Sequence, residues 1–201
     1  MTAVPTIPVV SQRRDARRNR ELVVQAARSC FARDGLDAGI DEIARTAGVG
    51  VGTVYRHFPN KDDLIEALAT ERFERLRDLA QEALAEPDPW KSFEFFMRAS
   101  AQIQTEDRAL SEILTSRPET MMRAATSVDM LGLVDQILSR AQRAGVVRGD
   151  AEARDVPMIM CALAGTFRNP HGDSERYMGI VLDGLRAPGA KRPKLPRTTR
   201  F

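Results

Sequence analysis

Cysteine and histidine are nearly absent from these 201 residues, with two of each, and no apolar run is long. Cys30 and Cys161 lie far apart and are too few for the ligand cluster of a structural zinc site. They read as small apolar core residues in a reducing compartment. The histidines are His57 and His171. The latter lies in Asn169-Pro-His-Gly172, a turn with no suitably placed nucleophile, so no enzyme activity, metal or cofactor is expected. No stretch approaches the roughly 18 to 20 uninterrupted apolar residues of a membrane helix, and the N-terminus has no apolar core before its arginines. A cytoplasmic protein without membrane attachment is the expectation. Gly48-x-Gly50-x-Gly52 follows a helical pattern rather than a strand and lacks the Lys-Ser/Thr of a nucleotide-binding loop.

What is present is a core-forming composition, 43% hydrophobic and 29% charged, which excludes a disordered chain, a collagen and a disulfide scaffold. The net charge of +2 is unevenly spread. Residues 1–57 carry nine bases against six acids, and from Arg186 onward six bases meet no acid, which leaves an acidic middle. Concentrated positive charge raises affinity for phosphate where it lies, so polyanion binding is expected to be local. For the C-terminal run, with Pro188, Pro193 and Pro196, the alternative is a solvated, extended tail.

Apolar residues recur at helical spacing almost throughout, and the punctuation is made of helix caps. The spacing predicts an all-α fold of about nine helices. Leu22, Val23, Ala26, Ala27, Cys30 and Phe31 form one face of the first, ended by Asp34-Gly35. Ile40 to Ala47 and Val51 to Phe58 are two short helices, and Asn60 caps a fourth that runs to Pro87. Asp88-Pro89 starts the next, and a short helix follows to about Leu114. Ser116-x-x-Glu119 reads as a capping box for one long helix carrying Met122, Thr126, Met130, Val134, Ile137 and Ala141. Gly145 ends it, and two more helices span about Arg154 to Phe167 and Ser174 to Arg186.

Two helices of about seven residues bury little surface alone and need the first helix as a third side. That is a helix-turn-helix, in which the second helix of the pair enters the DNA major groove. Its turn is Ala47-Gly48-Val49-Gly50, with Ile40, Ile43, Ala44, Val54 and Phe58 as core. Val51, Gly52, Thr53, Tyr55, Arg56 and His57 are then left for DNA. Arginine can pair bidentately with guanine, hydroxyls reach phosphate, and glycine lets the backbone approach. Lys61 stands at a helix start, where backbone N–H groups favour an anion.

The run Ile43-Ala44-Arg45-Thr46-Ala47-Gly48-Val49-Gly50-Val51-Gly52-Thr53-Val54-Tyr55-Arg56-His57-Phe58-Pro59-Asn60-Lys61 closely resembles the signature of the TetR family of bacterial transcriptional regulators. The resemblance implies phosphate contacts for Thr53, Tyr55, His57 and Lys61, and base-facing positions for Val51, Gly52 and Arg56. Gly39 stands where that family usually has a Thr or Ser cap, and Asp41 where some members reach a base. The arginine run Arg13, Arg14, Arg17, Arg18 and Arg20 precedes the motif and either adds DNA contacts, with Arg17 and Arg18 as the residues singled out, or is simply solvated.

By the same resemblance the chain divides into a disordered basic arm (1–16), the helix-turn-helix domain (17–61), an effector-binding and dimerisation domain (62–186) and a disordered basic tail (187–201). The implied partners are double-stranded DNA bearing an inverted repeat, a small-molecule effector and a second copy of the chain. The implied effector pocket uses Phe96, Met97, Ser100, Met122, Thr126, Met130 and Cys161, although methionine-rich surface also serves as ordinary core. The implied dimer face uses Val156, Ile159, Leu163 and Phe167, with Ala162 and Gly165 nearby to allow close approach, together with Tyr177, Ile180 and Val181. A repressor released by an apolar or amphipathic effector is the expected function. The rival is a helical adaptor or structural protein, which explains the helices but not the motif.

Overall fold

The computed structural model describes residues 9–106, 108–167 and 173–189. Among the described residues the regular structure is ten α-helices and one 3-10 turn, with no strand. Two compact units divide between Leu68 and Ala69, a few residues beyond the expected boundary at 61 and 62.

The first unit, the head, is built from α1 (Val9–Asp34), the 3-10 turn Gly35–Asp37, α2 (Ile40–Ala47), α3 (Val51–His57) and the opening turns of α4 (Lys61–Ala85). Helix α1 already runs from Val9, so residues 9–16 are helical where a disordered arm is expected; nothing between Val9 and Asp34 is a glycine or proline that would stop the helix. Residues 1–8 lie outside the described part. Val23, Val24, Ala27, Cys30 and Phe31 of α1 are fully buried, and α1 packs against both α2 and α3. Ile43 and Ala44 of α2, Val54 of α3 and Phe58 complete this core, while Ile40 is only half-buried.

Gly48, at φ 68°, ends α2 in the left-handed conformation, where a Cβ would be strained. The turn closes as Val49 N–H donates to the Ala44 carbonyl (3.0 Å) and Gly48 N–H to that of Arg45 (3.2 Å). Val49 and Gly50 separate Gly48 from α3, and the Asn60 side chain then accepts from the Asp63 N–H (2.9 Å) at the start of α4.

The second unit, the body, holds the rest of α4 with α5 (Pro89–Glu106), α6 (Arg108–Thr115), α7 (Pro118–Ser127), α8 (Met130–Arg143), α9 (Asp155–Phe167) and α10 (Ser174–Leu185). Helix α5 is central, packing on α8 and α9 through Phe93, Phe96 and Met97. Asp88 caps it, accepting from the N–H groups of Trp90 (2.8 Å) and Lys91 (3.0 Å). The end of α4 is held from two sides. Ser92 donates to the Ala83 carbonyl (2.6 Å), and the Arg140 guanidinium donates to the carbonyls of Leu84, Glu86 and Pro87 (3.0, 2.7 and 2.7 Å). Helix carbonyls left over at a C-terminus need such donors.

Two expectations fail here. The long helix from Ser116 breaks at Val128-Asp129, giving α7 and α8. Asp129 adopts a left-handed φ of 49°, which aspartate tolerates better than most side chains, and its carboxylate folds against Gly132, where a Cβ would collide with it. The capping box does not form either: the Ser116 hydroxyl donates back to the Ile113 carbonyl (2.7 Å), and α7 starts instead with Pro118 in its first turn.

After α8 the chain returns beside the end of α10. Arg148 N–H donates to the Leu185 carbonyl (2.9 Å) and Ala187 N–H to that of Val146 (3.1 Å), while the Arg186 guanidinium stacks on Trp90 at 3.6 Å. Arg186 is thus tied down rather than part of a free tail. The expectations for His171 and for the tail beyond residue 189 lie outside the described residues.

Candidate nucleic-acid interface

Helix α3 buries one of its seven residues, Val54, and it contains no acid. Gly52, Tyr55 and Arg56 are exposed; Val51, Thr53 and His57 are half-buried. A single buried residue anchors the helix on α1 and α2 and leaves the rest of its circumference open. The N-terminal end is capped by backbone alone, since Gly50 and Gly39, the residues preceding α3 and α2, supply no capping side chain. Gly52 has open space around the position a Cβ would take, so it offers backbone rather than filling a gap.

The charges of the head are sorted. Arg33 forms ion pairs with Asp34 (2.6 Å) and Glu42 (2.5 Å), and Glu42 also meets Arg45 (3.2 Å). These hydrogen bonds from Arg33 hold the Asp34 carboxyl below its ordinary pKa, and Asp34 with Glu42 keeps the Arg33 guanidinium charged. Two acids that would repel a polyanion are therefore neutralised within the head. Arg17 sits 3.6 Å from Glu21 one turn along α1, whereas Arg18 is simply exposed. Lys61 is half-buried; its ammonium donates to the Leu36 carbonyl and lies 5.6 Å from the centroid of the Phe31 ring. Of the sequence-predicted set, Val51, Gly52, Thr53, Tyr55, Arg56 and His57 lie on α3, Lys61 at the start of α4, and Arg17 and Arg18 on the N-terminal half of α1.

The residues expected to form an effector pocket do not gather in one place. Phe96, Met97, Ser100 and Met130 are buried, and the Ser100 hydroxyl has no hydrogen-bond partner among the described residues. Met122 is 64% exposed and, with Thr126, lines a shallow depression on α7 together with Glu119, Arg123 and Ser127. Cys161 is exposed on α9, so it is not the core residue that its small size suggests. Cys30 does behave as one, buried with its thiol 3.5 Å from the Thr46 hydroxyl.

The expected dimer face is also redistributed. Val156 and Leu163 belong to the body's own core, and Ile159 and Val181 pack against it. The side chain of Phe167 lies outside the described ones. The open face of α9 is the opposite one, Pro157, Met158, Cys161, Ala162 and Gly165, with Met158 67% exposed; on α10, Tyr177, Ile180 and Gly184 are exposed. The signal for this was a second stripe of small and apolar residues at helical spacing, one position out of phase with the stripe that reads as more hydrophobic.

Comparison with known proteins now decides the family. The model of bacterial regulatory proteins of the tetR family matches residues 23–68, and that of the C-terminal domain of SbtR-like transcriptional regulators matches residues 88–187. The TetR transcription regulatory protein from Mycobacterium vanbaalenii is 36% identical, with a TM-score of 0.63 over 88% of this chain and 99% of that one. The chain belongs to the TetR family. The TetR regulator SCO0520 from Streptomyces coelicolor is 29% identical, with a TM-score of 0.62 over 85% and 99% of the two chains. The transcriptional repressor BepR from Brucella suis is 27% identical over 198 residues, 87% of this chain and 95% of BepR. As a TetR regulator with a helix-turn-helix, the protein acts on transcription and is not an enzyme, which displaces the adaptor reading. Among the described residues no helix is long and apolar enough to cross a membrane.

Proposed function

We propose that this TetR regulator is a repressor that binds an inverted-repeat operator as a homodimer and is released by a small apolar or amphipathic effector. The observation that carries the DNA-binding part is the acid-free α3, held by Val54 alone, in a head whose Asp34 and Glu42 are neutralised. Arg56 reads bases while Thr53, Tyr55, His57 and Lys61 contact phosphates. The name of the Brucella suis relative supports repression over activation.

For the dimer, the open faces of α9 and α10 supply the contact. Ala162 and Gly165 allow helices to approach closely, and Met158, Tyr177 and Ile180 supply apolar area. A two-fold pair requires two copies of the operator half-site. For the effector, Met97, Met130, Met160 and Met178 fill the body's core with side chains that repack readily, and the unpartnered Ser100 hydroxyl offers one polar contact among them. The effector releases DNA only by binding the DNA-incompetent state more tightly, with displacement of α4, which runs covalently from the body into the head, as the connecting step.

Selection from random duplexes followed by salt titration tests this reading. It expects an inverted repeat and an affinity that falls steeply with salt. Absence of both would sink the regulator of this design, and a monomer at micromolar concentration in equilibrium sedimentation would sink the dimer.

A further inference from the structure

Arg20 belongs to an arginine run that the sequence leaves between DNA contact and solvation, and its surroundings single it out from the rest of that run. It projects from α1, exposed, with its guanidinium 5.2 Å from the centroid of the Phe58 ring. Phe58 is the residue that follows α3, and the neighbouring His57 ring lies 6.4 Å away at 52°. A cation from another helix is therefore parked at the C-terminal end of α3, beside a residue assigned to phosphate contact.

Its charge is also uncommitted. Among the described residues no carboxylate pairs with Arg20, whereas Arg17 is next to Glu21, and Arg33 and Arg45 share Glu42. Only cations that are not already neutralised displace counterions from DNA with their full charge. A guanidinium held over an aromatic face by a cation–π contact keeps its N–H groups free and loses rotamer freedom before any ligand arrives, which lowers the entropy cost of a contact.

We propose that Arg20, held by the Phe58 ring, is a DNA-phosphate-binding residue that clamps the backbone beside the end of α3. The assignment rests on the DNA-binding reading above. It makes Arg20 a fixed partner of the duplex and Arg17 a minor one, although both belong to the same arginine run.

Fluorescence anisotropy of the full chain on a random-sequence duplex of about 30 base pairs, over a range of salt concentrations, tests it. Arg20→Gln should weaken binding roughly tenfold at moderate salt, the loss of one charge-assisted contact, and make the log–log salt slope shallower by about one. Arg20→Lys should keep the slope while losing part of the affinity, because the charge remains and the stacked fork does not. Arg17→Gln should change the slope less than Arg20→Gln does. A purely structural role for the stack would lower the melting temperature of Arg20→Gln and leave the slope unaltered, and that result would overturn the proposal. If instead the unsubstituted chain shows no salt-dependent binding, the DNA-binding reading itself falls, and the assignment of Arg20 with it.

Discussion

Helices α3 and α5 put their residues to opposite use. Helix α3 buries Val54 alone, whereas α5 buries Ser92, Phe93, Phe96, Met97, Ser100, Ala101 and Ile103. A helix that touches a ligand must leave its face free, so its residue types are chosen by the ligand and not by neighbours in the fold. A helix at the centre of a core is chosen for volume, and many apolar residues fill the same volume. In the head, chemical identity and position carry the function. In the body, the direction of each face carries it, and that direction is a product of packing.

The contrast breaks first where it predicts the largest effect. Phe93→Ala empties a fully buried site on α5 and should cost about 3–5 kcal/mol in urea unfolding. None of the open positions of α3 should approach that, since they have little packing to lose. If Phe93→Ala were neutral, α5 would not be the centre of the body. Next comes Ala162→Glu on the open face of α9. It should leave the helical content and the monomer's stability nearly unchanged, and it should weaken self-association on the order of a hundredfold or more, the cost of burying an unpaired charge. Sedimentation equilibrium reads this, and an unaltered dimer would remove α9 from the interface.

The head was legible because its signals are local. Gly48 and the spacing from Ala44 to Val54 fix the turn, and the residues left outside that core are those of α3. The same held for Asn60 and Asp88, whose side chains cap the helices next in sequence. The body was legible as helices but not as faces. On α9, Val156, Met160 and Leu163 are more hydrophobic than Pro157, Cys161, Ala162 and Gly165, so the stripe that looks fit for a partner is the one that the body consumes in its own core. The break at Asp129 was hidden for a similar reason. It depends on a carboxylate folding against Gly132, while the apolar period runs through the site almost uninterrupted. Arg140, which satisfies three carbonyls at the end of α4 from 53 or more positions away, left no trace in local pattern. Arg20 was concealed among other arginines, and the Phe58 ring is what separates it from them.

Arg56→Ala sharpens the contrast from the head's side. The side chain is exposed on α3, so stability should move by less than about 0.5 kcal/mol. Discrimination against a wrong base at one position of each half-site should fall by about 1–3 kcal/mol. Comparing selected and single-mismatch duplexes by anisotropy measures the second quantity, and thermal melting the first. A destabilised Arg56→Ala with intact base preference would invert the assignment of roles within the head.

The smallest effect concerns acid sensitivity, and it compares caps in the two regions. Asp88, at the start of α5, has its carboxyl held below the ordinary range, first by the Lys91 N–H and also by that of Trp90, with lesser help from the charges of Lys91 and Arg140. A depressed folded-state pKa contributes stability that is present above the unfolded value, about 3.9 for aspartate, and is lost as pH falls through the lower folded value. Asp88 therefore helps the body at neutral pH, and that help fades as pH falls below the unfolded value toward the lower folded one. In the head, the residues preceding α2 and α3 are Gly39 and Gly50, which have no side chain to titrate. Melting temperature measured from pH 6 down to about pH 3 should decline less steeply for Asp88→Asn than for the unsubstituted chain, because asparagine still accepts the cap hydrogen bonds but does not titrate. Parallel curves would show that the Asp88 cap contributes nothing that depends on its charge, and the difference between the acid responses of the two regions would then have to come from ion pairs such as that of Arg33 with Asp34.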